Sequence, residues 1–247
     1  IKALLKEIVM SEAYQQSSQA TEDAYKKDPE NRWLSRGSRY RLDSEVVRDQ
    51  ILATSGLLKT TQYGPSVKPP QPEGLWKSVS LPSSYPRVYQ ADSGDNVYRR
   101  SVYTFWKRTA PTPLLMTLDS SKRDVCMVRR ERTDTASQTL VLLNGPQFVE
   151  AARATAQKLI EKHGDNNTQL VENAFRLLTS RFPSQKEREI LYGLLKEQQQ
   201  VFSDANSAKA FLSTGEFNAK TEHPTRLAAV TVLVSTLMNF DESISKR

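Results

Sequence analysis

Carboxylates that could work as an acid–base pair gather in the first half of the chain, at Asp43, Glu45, Asp49, Asp119 and Asp124. Two such groups facing each other across a bound molecule can deliver and remove protons. Their spatial relation is not encoded in the sequence, and helix caps and arginine partners account for most. The one cysteine, Cys126, has Arg123, Arg129 and Arg130 near it, cations that would favour a thiolate nucleophile. A lone cysteine is more often a small buried hydrophobe, and an inert, buried Cys126 is the expectation. The two histidines, His163 and His223, have no carboxylate or cysteine at ligand spacing, so no metal site is expected. His163 falls in a last helical turn, where a cation suits the dipole, and His223 precedes Pro224 at a helix start. Ser66 lies in no G-x-S-x-G elbow, and the glycines make no phosphate-binding loop. The motif-bearing hydrolases and nucleotide binders are set aside, and catalytic residues stay unassigned.

Arginine is the other reactive resource. Tyr98, Arg99, Arg100, Tyr103, Trp106 and Arg108 interleave cations with rings, as a nucleic-acid or sulfated-glycan site would for stacking and anion contact. The same spacing describes a helix with one buried face and cations opposite, which is the preferred reading. Net charge is +7, and most of the excess lies between Tyr98 and Arg132, where the basic residues meet only Asp119, Asp124 and Glu131. Such a field favours anionic partners. Arginines that tie down loops by bonding carbonyls and carboxylates are the stronger explanation. Should a ligand site exist, Arg32, Arg36, Arg129 and Arg132 are the candidates for anion or ligand binding, because several guanidinium groups on irregular backbone need either a bound anion or internal acceptors. Nucleic acid is the least favoured partner, since it requires a continuous exposed basic stripe.

The elements that must carry these residues divide the chain at about residue 133. Ile1, Leu4, Leu5, Ile8 and Val9 follow helical spacing, and their apolar face is expected to pack on something. A polar, aperiodic run follows to residue 42. Asp43 is then placed to cap a helix carrying Val46, Val47, Ile51 and Leu52 and closing near Gly56 or Leu58. From Tyr63 to Asp95, prolines at 65, 69, 70, 72, 82 and 86 exclude long regular elements. Tyr63, Trp76, Tyr85 and Tyr89 argue that this excursion is ordered, because their rings are costly to leave in water. A short strand is expected over 75–81, and a short helix over 98–106 that stops before Pro111 and Pro113.

Beyond residue 133 the pattern is regular. Asp134 is expected to cap a helix through Leu140 and Leu143, and Pro146 to open another whose stripe is Phe148, Ala152, Ala156, Leu159 and Ile160, closing at Gly164. Helices follow over 168–181, from Ser184 with Glu187 at capping-box spacing and Ile190, Leu191, Leu194 and Leu195 facing inward, and over 207–212. Leu227 to Met238 is apolar on nearly all sides and reads as a central buried helix, too short for a bilayer span of about 20 residues. The fold expected is mainly α with little or no sheet: a single domain over 1–247, as a loop-rich, arginine-rich lobe with short helices (1–133) coupled to a helical, bundle-like lobe (134–247). The 247 residues suffice for a real core, and 38% hydrophobic against 26% charged residues is ordinary for a folded chain. The chain opens on Ile1, inside an amphipathic pattern and without Met, so it is expected to be a piece of a longer gene product.

The order of several segments carries a resemblance. Asn31-Arg32-Trp33-Leu34-Ser35-Arg36, Arg48-Asp49, Gly64-Pro65-Ser66-Val67 and Pro72-Glu73-Gly74-Leu75-Trp76 are followed by the run from Tyr98 to Arg108. Arg129 to Thr135, Gln138 to Asn144 and Leu237 to Glu242 complete it. This series resembles a planctomycete cytochrome c-associated C-terminal domain of unknown function, the PSD-type domain of exported planctomycete and verrucomicrobial proteins. The resemblance implies a periplasmic or extracellular chain at the end of a longer polypeptide, whose other domains, including a c-type cytochrome module, are its partners. It also implies a link to polysaccharide use, but brings no catalytic residues to carry over. Haem attachment belongs to the cytochrome module: CxxCH is missing here, and no cofactor is expected in this chain. An accessory or interaction module is the first functional expectation. An enzyme, hydrolase or redox, acting on acidic or sulfated glycans through the basic half is the second.

Overall fold

A computed structural model describes residues 1–83, 86–219 and 221–246. The fold is mainly α. Internal contacts divide the chain into two units, one formed by Ile1–Leu42 with the last residues from Ile244 onward, the other by Asp43–Ser243.

The first unit contains α1 (Lys2–Met10), α2 (Glu12–Gln15), α3 (Glu22–Lys27) and a minimal sheet in which β1 (Tyr40–Arg41) pairs antiparallel with β2 (Ser245–Lys246). Ser11 and Thr21 cap α2 and α3 by accepting from the backbone N–H groups of Tyr14 and Ala24. The expected packing of the α1 stripe does not occur among the described residues. Leu4, Leu5, Ile8 and Val9 are all exposed, and α1 buries no residue.

The second unit holds α4 (Ser44–Ser55), α5 (Leu75–Val79), α6 (Pro113–Thr117), α7 (Ala136–Asn144), α8 (Pro146–His163), α9 (Asn167–Thr179), α10 (Gln185–Val201), α11 (Ala205–Leu212), α12 (Pro224–Met238) and the start of α13 (Asp241–Ile244). Its centre is α12, buried on nearly all sides by α8, α9, α10, α11 and α7. Small residues set the closest approach: Ala151, Ala152, Ala154 and Ala156 of α8 are buried, as are Ala228 and Ala229 of α12. Side chains this small let two helix axes lie near the lower end of the roughly 8–10 Å packing range. Prolines open α6, α8 and α12 in their first turns, where a missing N–H costs nothing. Gly56, at φ 73°, closes α4 in the left-handed conformation.

Ser184 and Glu187 form the expected capping box at α10. Of the inward set there, Leu191 and Leu195 are buried while Ile190 is exposed. At α7 the cap is Thr135 rather than Asp134. Its hydroxyl accepts from the Gln138 N–H and the Gln138 side chain accepts from the Thr135 N–H, so the reciprocal pair sets the helix start one residue later.

Two local expectations are corrected. Residues 75–79 are helical, not a strand: the chain turns at Gly74, φ 78°, and the helical turn sends Trp76 inward, where it meets Tyr89 edge-on at 4.7 Å and Phe105 at 5.6 Å. Residues 98–106 form no α-helix: Tyr98 ends one 3₁₀ turn, Gly94–Tyr98, Ser101–Tyr103 form a second, and the rest is irregular. Their backbone groups are claimed from elsewhere: Asp49 accepts from the Ser101 N–H, and the carbonyls of Val97 and Arg99 accept from Arg48. Described parts of the proline-rich excursion are tied down, with Val67 exchanging bonds with Tyr103 and Phe105 and the Asp92 N–H donating to the Lys68 carbonyl. Trp76 and Tyr89 justify the argument from ring burial; Tyr63, 82% exposed, does not, and Tyr85 lies outside the described residues.

Truncating the central helix should therefore differ sharply from truncating α1. Leu233→Ala is expected to cost about 3 kcal/mol in urea unfolding, and Leu5→Ala less than about 0.5 kcal/mol. Comparable losses would show that the α1 stripe is covered in solution.

Candidate functional site

Arginines organise the loops of the second unit. Arg48 stands on the buried face of α4, where Ser44, Val47, Arg48, Ile51, Leu52 and Ser55 follow helical spacing. Its Nε donates to Gln147 Oε1 at 2.7 Å, Nη1 to the Arg99 carbonyl and Ser101 Oγ at 3.0 Å each, and Nη2 to the Val97 carbonyl at 2.8 Å. Burial pulls its pKa down to about 10, against the raising effect of Asp49, whose carboxylate lies 3.5 Å away. It therefore stays charged at neutral pH.

Arg99 repeats the device, donating to the carbonyls of Pro65, Thr61 and Tyr63. So does Arg153 of α8, which holds the carbonyls of Leu212, Thr214 and Phe217. Glu150, one helical turn before Arg153, accepts from Tyr98 Oη at 2.6 Å and from the Phe217 N–H. Burial, then the bond to Glu150, pushes the Tyr98 phenol above its ordinary value.

On the solvent side of α4, Asp43, Glu45 and Asp49 meet Arg100, Arg123 and Arg130 around an open groove of about 590 Å³. Glu45 and Asp49, one helical turn apart, share a flank of α4, Asp43 is its N-cap, and the arginines come from the irregular segments beside it. Arg130 Nη1 donates to Glu45 Oε2 at 2.6 Å and lies 3.8 Å from Asp43. Asp49 accepts from the N–H and hydroxyl of Ser101 at 2.7 Å each and lies 3.7 Å from Arg100. Burial alone would raise the Glu45 carboxyl, but hydrogen bonds from Arg130 and Ser44 and the Arg130 charge hold it below its usual value. The guanidinium of Arg123 lies over the Trp106 ring, 4.7 Å from its centroid.

The four arginines singled out from sequence divide between the units. In the first, Arg32 is a rim residue whose Nε lies 3.9 Å from Glu30, and Arg36 is a loop lock, donating to the Asp28 and Pro29 carbonyls at 2.7 Å each and lying over Tyr25. In the second, Arg132 reaches Asp43 at 3.6 Å on the edge of the groove, and Arg129 is exposed. Arg99 lies in the run from Tyr98 to Arg132 where loop-tying arginines are expected, whereas Arg48 and Arg153 were not singled out. Arg48 could have been found, because an arginine on an apolar helical stripe has to be paired inside.

Of the other carboxylates, Asp119 receives Thr133 and Gln138, and Asp124 is exposed. Cys126 is exposed, contrary to its expected burial, within a stretch from Lys122 to Arg129 that is exposed throughout. His163 is half-buried at the end of α8, with Nε2 lacking a hydrogen-bond partner among the described residues, and the His223 N–H donates to Thr221. Among the described residues no three of His, Cys, Asp and Glu lie close enough to hold a metal ion, and no helix is long and apolar enough to cross a membrane.

A family model named PSD1, protein of unknown function (DUF1553), matches residues 1–195. No curated protein and no solved structure matches.

Because Glu45 is held ionised by the fold, its contribution to stability is fully present above the ordinary carboxylate range and is lost as pH falls through its lowered value. Arg130→Gln is expected to destabilise the protein by about 1 kcal/mol at pH 7. The gap between the variants should close as pH falls below about 4, measured by urea unfolding across pH. A gap that is constant with pH would mean that Arg130 does not act through a carboxylate.

Proposed function

The chain belongs to the PSD1 family of proteins of unknown function, and we propose that it is a non-catalytic interaction module that docks partners onto a longer, exported polypeptide carrying a c-type cytochrome and linked to polysaccharide use. One observation carries this reading. The carboxylates that converge beside α4 are paired with guanidinium or hydroxyl groups, and Glu45 is held below its usual pKa. A general acid at neutral pH needs the opposite shift, and a base so stabilised is weak. Charges of both signs displayed in an open groove instead suit a partner's complementary charges, where they govern orientation and association rate.

On this reading the other domains of the polypeptide are the first partners, haem belongs to the cytochrome module, and the chain works in the periplasm or outside the cell. Nucleic acid is not a partner, because the arginines with the deepest burial are turned inward to carbonyls.

The second reading is an enzyme acting on acidic or sulfated glycans. What favours it is the same convergence: Arg100, Arg123 and Arg130 line the groove beside carboxylates and could receive a sulfate or uronate. The test has two arms. The chain mixed with the separately produced cytochrome module should associate, more weakly at higher salt, and Arg100→Glu with Arg123→Glu should weaken binding about tenfold or more. Turnover of a sulfated oligosaccharide that Glu45→Gln abolishes, with no association in the first arm, would replace this reading with the enzymatic one.

A further inference from the structure

The loop clamped by Arg99 carries an aromatic ring out into solvent. Tyr63 is 82% exposed, whereas Val67 and Trp76 in the same proline-rich run are buried. Its backbone sits at φ 65° and that of Gly64 at φ 85°. This left-handed conformation disfavours a tyrosine, and such residues persist where surrounding contacts over-determine them. Those contacts are visible on both sides. The Tyr63 N–H donates to Tyr103 Oη at 2.9 Å, and its carbonyl accepts from Arg99, whose guanidinium also lies 4.0 Å from the Tyr103 ring centroid. The backbone is fixed from below and the ring is left bare above.

Tyr63 is among the residues lining a cavity of about 400 Å³, within the roughly 300–1,000 Å³ range of small-molecule sites. Gln62, Ser66 and Asn96 supply amide and hydroxyl groups that both donate and accept. Asp92 spends one oxygen on the Lys68 N–H at 2.8 Å, and Lys59 and Asp95 pair at 3.0 Å. The cations Lys59 and Arg99 are balanced by the carboxylates Asp92 and Asp95, so the cavity carries no net charge. Arg99 Nε, buried in its wall, has no hydrogen-bond partner among the described residues.

We propose that this cavity is a binding site for a neutral saccharide, with the Tyr63 ring as its stacking platform. A pyranose presents a face of C–H groups, which lies favourably on the electron-rich face of an aromatic ring. Its hydroxyls, each donor and acceptor, match the mixed amide, hydroxyl and carboxylate wall. Charge balance selects against sulfated or uronic sugars, which would meet Asp92 and Asp95 without a surplus of cations. The rigid Tyr63 backbone means that little ordering is needed when the sugar arrives. This surface is separate from the groove beside α4, and the assignment does not depend on the reading of that groove.

The test titrates the chain with four β-1,4-linked neutral hexasaccharides, of glucose, xylose, mannose and galactose, by isothermal calorimetry. At least one should bind. Tyr63→Gly removes the ring while relaxing the left-handed backbone, so it should leave the circular dichroism spectrum and melting temperature intact yet weaken binding about tenfold or more. Tyr63→Phe keeps the ring and should bind within about threefold of wild type. Failure of all four sugars to bind, undiminished binding by Tyr63→Gly, or preference for a sulfated hexasaccharide over the neutral ones would overturn the proposal. Loss of sugar binding with cytochrome docking intact, or the reverse, distinguishes this site from the α4 groove.

Discussion

A guanidinium group taken out of water needs acceptors for its N–H groups, and in this protein many of those acceptors are backbone carbonyls of segments without regular structure. Arg48, Arg99 and Arg153 each gather carbonyls from residues distant in sequence. Each satisfies two requirements at once: the buried cation is hydrogen-bonded, and loop carbonyls that would be orphaned inside the fold are paired. The connecting segments of the second unit are long and rich in proline, and few of them can pair with themselves. Their order follows from these side chains.

Helices supply the frame in which such a lock can be rigid. Arg48 and Arg153 project from α4 and α8, and α8 is held by its alanine-lined approach to α12. A buried charge on a mobile element would find water instead. Mounted on a packed helix it has one arrangement of acceptors within reach, and the chain from Val97 to Ser101 takes up 3₁₀ turns around it rather than the α-helix its apolar spacing allows. Arg100 of the groove beside α4 and Tyr63 both lie on segments positioned in this way.

The helical parts were legible because their signals are local. The stripes of α8 and α9, the capping box at Ser184 and Glu187, and the apolar α12 each depend on residues within a few turns of one another. Arg48 was legible only as an anomaly, since the partner Gln147 and the carbonyls of Val97 and Arg99 are close in space alone. The turn at 75–79 was misread as a strand because burial of Trp76 against Phe105 decides its conformation, and no short window contains that contact. The α1 stripe has the right periodicity but is left uncovered by the described residues, for a pattern reports what a face can pack against, not what is beside it. Glu45 and Asp49 share a flank of α4 one turn apart, but Asp43 lies outside the helix and the arginine partners come from loops whose paths no periodicity encodes.

That loops are built on buried guanidinium–carbonyl bonds is tested most directly by Arg48→Met, which keeps the apolar stem and removes the donors. Urea unfolding combined with amide hydrogen exchange reads both the global and the local consequence. Stranding the carbonyls of Val97 and Arg99 should lower stability by about 3 kcal/mol, with exchange accelerated most over residues 97–104 and least in α12. Stability within about 0.5 kcal/mol of wild type, with protection of residues 97–104 unchanged, would contradict the account.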